Sequence, residues 1–223
     1  MPEPHLHTIF VKKGMHITTN EDRAYVASKR TIDIICATVG IVILIPVFLI
    51  VALLIKKEDS KGAILFKQLR VGKDGKEFYM FKFRSMVSDA ENKLTELLPY
   101  NDIEGAMFKM KEDPRITKIG KFIRKTSIDE LPQLWNVIRG EMSLVGPRPP
   151  LLREVEQYNS YHKQRLIVKP GCTGLWQVSG RSNLNFNQMV ELDLYYISNC
   201  SIWIDFKLMI KTVIILLKSK DAF

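Results

Sequence analysis

Cysteine and histidine are scarce in this chain. Three cysteines (Cys36, Cys172 and Cys200) and four histidines are spread over 223 residues. No zinc-ligand spacing occurs, and three distant thiols make no disulfide framework, a pattern that fits a reducing compartment. His5, His7 and His16 fall within the first 24 residues, which are polar, lack periodicity and read as a loose arm. Neither a P-loop nor a dinucleotide glycine fingerprint is present, which removes the common nucleotide cradles. Signatures of zinc fingers, homeodomains and RNA-recognition modules are also missing, and the basic residues are dispersed, so nucleic acid is not the expected partner. Only one long apolar run occurs. It starts too late for a signal peptide and lacks a small-residue cleavage site after it.

What is abundant is positive charge. Lys and Arg number 33 against 24 Asp and Glu, a formal charge of +9. Such a surface favours an anionic partner, here anionic lipid or a phosphorylated substrate. The length suits one domain with an appendage.

The apolar run extends from Thr31 to Ile55 with one charge, Asp33. As a single helix it would reach roughly 37 Å, enough for a hydrocarbon core of about 30 Å. Pro46 divides it, because an interior proline removes a helical hydrogen bond and crowds the preceding turn. Lys29 and Arg30 precede the run, and Lys56, Lys57 and Lys61 follow it. A spanning helix shows Lys/Arg asymmetry, whereas a helix that breaks at Pro46 and returns keeps both basic flanks on one side. Both arrangements remain open on these residues alone.

The chain is organised around Arg124-Lys125-Thr126-Ser127-Ile128-Asp129-Glu130-Leu131-Pro132-Gln133-Leu134-Trp135-Asn136-Val137. Pro132 is tolerated only near a helix start. A helix is therefore expected to begin close to Asp129, with Leu131, Leu134, Trp135 and Ile138 turned to a core. Ser127 with Glu130 matches a capping box, which explains the acids structurally. The alternative is a phosphate site, since Arg124 and Lys125 lie within a turn of Asp129 and would lower its pKa.

Around this stretch, residues 63–71 and Glu77–Phe83 flank Gly72-Lys73-Asp74-Gly75 and predict a hairpin. It leads into Lys82-Phe83-Arg84-Ser85-Met86, where Lys82 and Arg84 can meet an anion or form a solvated face. A helix is expected from about Ser88 to Leu98. Lys111, Arg115, Lys118 and Lys121 carry positive charge towards Arg124 and Lys125. In Ser143-Leu144-Val145-Gly146-Pro147-Arg148-Pro149-Pro150 the prolines restrict the backbone about Arg148, presenting either a rigid turn or a guanidinium fork for phosphate. A helix over about 151–167 and a turn-rich binding loop over 169–181 follow. The tail, Ser201–Lys218, sets Trp203, Phe206, Ile210, Val213, Ile214 and Leu217 on one side with Lys207, Lys211 and Lys218 between, which suits a membrane interface.

Five segments in this order resemble the bacterial sugar transferases, also called monotopic phosphoglycosyl transferases. They are Lys82–Met86, Asp113-Pro114-Arg115-Ile116-Thr117, the Arg124–Val137 stretch, Ser143–Pro149, and Lys169-Pro170-Gly171 with Thr173-Gly174-Leu175. The resemblance implies an α+β, mainly helical, monotopic membrane protein with a re-entrant helix broken at Pro46, a small β-hairpin and amphipathic interface helices. Many members carry Ser before that proline, where this chain has Ile45. The implied division is an arm over 1–27, a membrane helix–break–helix over 28–57 and a cytosolic catalytic domain over 58–223, without the extra membrane helices of larger members.

The resemblance further implies Asp129 as nucleophile, Glu130 as Mg²⁺ ligand and phosphate-handling cations at Arg124 and Arg148. The reaction implied is transfer of a hexose 1-phosphate from a UDP-sugar (UDP-glucose or UDP-galactose) to undecaprenyl phosphate, with release of UMP. It would initiate exopolysaccharide, capsule or O-antigen assembly at the cytoplasmic face of the bacterial inner membrane. A homodimer is compatible with this expectation. The rival expectations are a membrane-bound phosphatase or pyrophosphatase on the same carboxylates, and a non-catalytic membrane-surface adaptor.

Overall fold

A computed structural model describes residues 17, 19, 21–97, 99, 110, 113–180 and 184–218. The readings made for His5, His7, His16, Lys111 and Arg181 lie outside the described residues, as do those for the side chains of Leu217 and Lys218.

The first element, α1 (Arg23–Glu58), begins where Asp22 accepts a hydrogen bond from the Tyr25 N–H, the usual work of an N-cap aspartate. It runs uninterrupted through Pro46, so the expected division into two separate helical legs is not present in the secondary structure. Proline removes one hydrogen bond and crowds the preceding turn, yet α1 keeps its helical path with buried residues on either side. Tyr25, Asp33 and Ala37 are buried before Pro46, and Val51 and Ile55 after it. Between and around them Ile35, Val39, Val42, Ile43, Leu49, Ile50 and Leu53 are exposed. A long helix with so much exposed hydrocarbon is compatible with a monotopic membrane protein.

Strands β1 (Leu65–Val71) and β2 (Glu77–Phe83) form the expected antiparallel hairpin, with Leu65 opposite Phe83 and Val71 opposite Glu77. Its tip needs left-handed backbone at Asp74 (φ 57°) and Gly75 (φ 77°), residue types that accept it. Helix α2 (Ala90–Leu97) starts two residues later than Ser88. The turn before α3 (Lys118–Lys125) is locked by Arg115, whose guanidinium sits 2.6 Å from Asp113 Oδ2 with both groups buried. Arg115 is thus structural and no part of an open cationic path.

After α3 come a single 3₁₀ turn at Ile128–Glu130 and α4 (Gln133–Arg139). Strand β3 (Ser143–Val145) pairs in parallel with β4 (Gly171–Thr173), a second ladder beside the hairpin. The helix expected over 151–167 is broken into α5 (Leu152–Val155), α6 (Ser160–Lys163) and a 3₁₀ turn at Gln164–Ile167. Asn159 is responsible. Its side chain accepts from the His162 N–H and restarts the chain as a new helix. Helices α7 (Leu175–Val178), α8 (Phe186–Asn199) and α9 (Ile202–Lys218) complete the order.

Three apolar clusters hold these pieces. One gathers Val145, Val190, Leu194, Ile197 and Leu208 about α8. Another joins Ala37 of α1 to Phe78, Met80, Val137 and Met142, and the third joins Val51 and Ile55 of α1 to Phe83 and Ile123. Each fully buried aliphatic side chain contributes roughly 1.5–3 kcal/mol. The 3₁₀ turn hangs between the last two clusters, which fix α4 on one side and α3 on the other.

Candidate active site

The carboxylate pair sits on a turn that is not a simple helix start. Helix α3 ends at Lys125, and Ser127 then takes left-handed backbone (φ 56°, ψ 17°), uncommon for a residue other than glycine. The Ser127 side chain makes no capping hydrogen bond, so the capping-box explanation of Glu130 does not hold. Instead the Glu130 N–H reaches the Ser127 carbonyl and the Leu131 N–H reaches Ile128, closing the 3₁₀ turn. Pro132 precedes α4, where its missing N–H would have had no helical partner.

The buried face of α4 also differs from the expected one. Gln133, Asn136 and Val137 are buried, Leu131, Leu134 and Ile138 partly so, and Trp135 is exposed. Asn136 decides this orientation. Its Oδ1 accepts from the Phe81 N–H at 3.0 Å, and its Nδ2 donates to the Tyr79 carbonyl and Glu141 Oε2, each at 2.7 Å. The helix is thereby pinned to β2, one residue from Lys82.

Asp129 is 8% exposed, whereas the neighbouring Glu130 side chain is 46% exposed. Lys82 Nζ lies 2.7 Å from Glu130 Oε1. Burial pushes the Asp129 carboxyl up to about 6, opposed by Lys82 and Arg124 and assisted by the Glu130 charge. At neutral pH it is therefore mainly a poorly solvated carboxylate. Such a group is a better nucleophile than one with a full hydration shell.

A cavity of about 710 Å³ opens over this turn, a size suited to a nucleotide-sized ligand. Asp129, Glu130, Lys82, Arg124 and Arg148 all line it, so five of the expected residues converge. Arg84 does not. The strand ends at Phe83, and the Arg84 guanidinium turns away to Asp59, at 2.9 Å from Oδ2 and 2.8 Å from the carbonyl, where it straps the end of α1. Arg148 is oriented by Glu154, 3.3 Å from its Nη1.

Arg70 joins the wall although no local pattern pointed to it. It is buried at the end of β1 and donates to Gln68 Oε1 and the Pro149 carbonyl, with no carboxylate partner among the described residues. Burial, with Arg148 nearby, pushes it down to about 9, so it stays cationic at neutral pH. Two neighbouring guanidiniums in one cavity favour a multiply charged anion. The Trp176 indole nitrogen, also in the wall, is buried without a hydrogen-bond partner among the described residues. Cys172 lines the cavity too, but burial pushes its thiol far up, which leaves it a neutral wall group.

No cluster of three or more His, Cys, Asp or Glu side chains exists among the described residues. The donor set nevertheless fits Mg²⁺, which commonly binds through one or two carboxylates completed by water and substrate phosphate. Glu130 offers such a half-exposed carboxylate beside Asp129.

The family model described as bacterial sugar transferase matches residues 24–219. Among the relatives, the galactosyl transferase CpsE of Streptococcus agalactiae is 50% identical over 89% of this chain and 44% of its own length. The undecaprenyl-phosphate galactose phosphotransferase of Salmonella typhimurium is 44% identical over 87% of this chain and 41% of its own. The exopolysaccharide production protein ExoY of Rhizobium meliloti is 38% identical, with 88% of each chain covered. The chain thus spans less than half of the first two relatives and most of the third. With a match across nearly all of the described residues, the chain belongs to the bacterial sugar transferase family.

Proposed function

We propose that this protein transfers a hexose 1-phosphate from a UDP-sugar to undecaprenyl phosphate, the first step in building a cell-surface glycan on its lipid carrier. The observation that carries the reading is the Asp129 carboxylate, buried at the floor of a cavity that also holds Glu130, Lys82, Arg124, Arg148 and Arg70. Relatives named as a UDP-galactose-lipid carrier transferase and an undecaprenyl-phosphate galactose phosphotransferase support the substrate class.

In the first step an Asp129 oxygen attacks the phosphorus that bears the sugar. The bond from that phosphorus to the bridging oxygen breaks, UMP leaves with the electron pair, and the sugar phosphate remains on Asp129 as an acyl phosphodiester. An oxygen of the lipid phosphate then attacks the same phosphorus. The acyl bond breaks, the Asp129 carboxylate is regenerated, and the lipid carries a diphosphate-linked sugar. Two displacements through a protein carboxylate replace one between two anions. Arg124, Arg148 and Arg70 offset charge gathering on the phosphoryl oxygens, and Lys82 can do the same on leaving Glu130. When bound at Glu130, Mg²⁺ supplies further charge neutralisation for the diphosphate.

In this reading α1 enters the cytoplasmic leaflet of the inner membrane and returns without crossing, bending at Pro46 while keeping a continuous helical path. Support comes from its two ends: Arg30 donates to the Val137 and Ile138 carbonyls, and Glu58 accepts from the Lys118 and Ile119 N–H groups. That both ends of α1 bond to the same body supports both basic flanks lying on one side.

The test is incubation with a UDP-sugar labelled in the sugar, without lipid. Label retained on the protein at Asp129, released UMP, and transfer of that label to undecaprenyl phosphate are expected. Inorganic phosphate as the product, or full turnover by Asp129→Asn, would sink the proposal.

A further inference from the structure

The cavity over the carboxylate turn has two kinds of wall. The charged groups come from β1, β2, α3, the 3₁₀ turn and the Arg148 loop. A second wall is hydrocarbon, built by Phe186 and Met189 of α8 and by Met209, Val213 and Leu216 of α9. Phosphates and sugar hydroxyls gain nothing from such a surface. A ligand with an anionic head and an apolar chain uses both.

The apolar wall is also open to the outside. Val213 lines the cavity while remaining 55% exposed, and Leu216 does so at 39%, so the space reaches the surface along α9. That surface is itself apolar. Trp203, Phe206, Ile210 and Ile214 stand exposed on α9, with Lys207 over the Trp203 ring at 5.0 Å, an arrangement suited to the boundary of a bilayer. Helix α1, which meets α9 through Tyr25 and Lys29 at Asp205, carries exposed apolar residues of its own, so two elements of the protein present hydrocarbon to the outside. The wall is held in place, since Thr212 Oγ1 lies 2.7 Å from Thr173 Oγ1 of β4 and bonds back to the Leu208 carbonyl at 2.7 Å.

The geometry points to the α8–α9 wall as the groove for the isoprenoid segment next to the acceptor's phosphate, entered sideways from the membrane along α9. The lipid comes to Asp129 past Val213 and Leu216, while the nucleotide sugar comes by way of the charged wall. This rests on the transfer reaction proposed above and adds the path and seat of its second substrate. An apolar seat there keeps the chain out of water as the lipid phosphate is drawn from the headgroup layer, so the cost of exposing hydrocarbon is not added.

The experiment uses Val213→Trp and Leu216→Trp, both at exposed positions where a larger side chain needs no new core space, in the full chain in phospholipid vesicles. The protein is first charged with label from the UDP-sugar, then discharged in parallel by undecaprenyl phosphate or by UMP, which reverses the first step and carries no chain. Filling the groove is expected to slow discharge by the lipid about tenfold, the equivalent of losing contact with a few methylenes, and to change discharge by UMP less than about twofold. Equal slowing of both discharges, or no slowing of either, would overturn the groove. Failure of the unsubstituted protein to take label at all would instead overturn the transfer reaction, which keeps the two ideas separable.

Discussion

Lys82 and Glu130, 48 residues apart, meet at 2.7 Å across the gap between β2 and the 3₁₀ turn. The pair is partly exposed, so as an ion pair it contributes only about 0–1 kcal/mol to stability. Its importance is electrostatic and local, because Lys82 is the largest influence opposing the upward push of burial on Asp129. Substitution Lys82→Met should leave the melting temperature nearly unchanged. The acid limb of Asp129 labelling should move above about pH 6, which a rate–pH profile would reveal.

Asp129→Asn should separate stability from activity. The folded carboxyl titrates near 6 against an ordinary 3.8, so folding favours its neutral form. That advantage is complete below about pH 4 and is lost as pH rises through about 6. An uncharged amide avoids the penalty, so the variant should be more stable than the parent by up to about 3 kcal/mol at pH 7, with no difference at pH 4. Thermal unfolding at the two pH values checks this, alongside complete loss of labelling.

Asn136→Leu should be costly although the residue touches no substrate. Removing its amide strands the Phe81 N–H and the Tyr79 carbonyl in a partly buried seam, at up to about 1–3 kcal/mol for each group left unsatisfied. Denaturant unfolding should show the loss, and labelling should weaken because the Lys82 strand is no longer registered against α4.

Chelation by EDTA should suppress labelling, and Mg²⁺ should restore it. Glu130→Gln should raise the Mg²⁺ concentration needed for half-maximal labelling by about tenfold or more, since a neutral amide is a weaker ligand than a carboxylate. An unchanged Mg²⁺ requirement would remove Glu130 from the metal site.

Contiguous features were legible in the sequence. The hairpin could be placed because Gly72, Asp74 and Gly75 advertise a turn, whereas Pro132 marks a helix that starts at Gln133, four residues beyond Asp129, and leaves the acidic pair on a 3₁₀ turn. Features set by contact between distant segments were not. Arg84 shares strand alternation with Lys82, yet the strand stops one residue earlier and Asp59 captures the guanidinium. Arg70 looks like any strand cation until the Pro149 carbonyl is brought to it. The buried face of α4 departs from its apolar spacing because Asn136, a polar residue, is more deeply buried than Trp135, and only its partners on β2 explain why. The break in the helix expected over 151–167 follows from Asn159, whose side chain caps a new start at the His162 N–H.

Arg30 and Glu58 make α1 into a pair of calipers. One jaw closes on the last carbonyls of α4 and the other on the first amides of α3, with Asp129 and Glu130 held on the span between. Whatever bends or straightens the rod changes the distance between the jaws. On the proposed membrane seating of α1, a detergent micelle, a thinner bilayer or a stiffer lipid would act on the carboxylate turn without touching it. If α1 dips into one leaflet as proposed, labelling of Asp129 should vary with the acyl-chain length of the vesicles used.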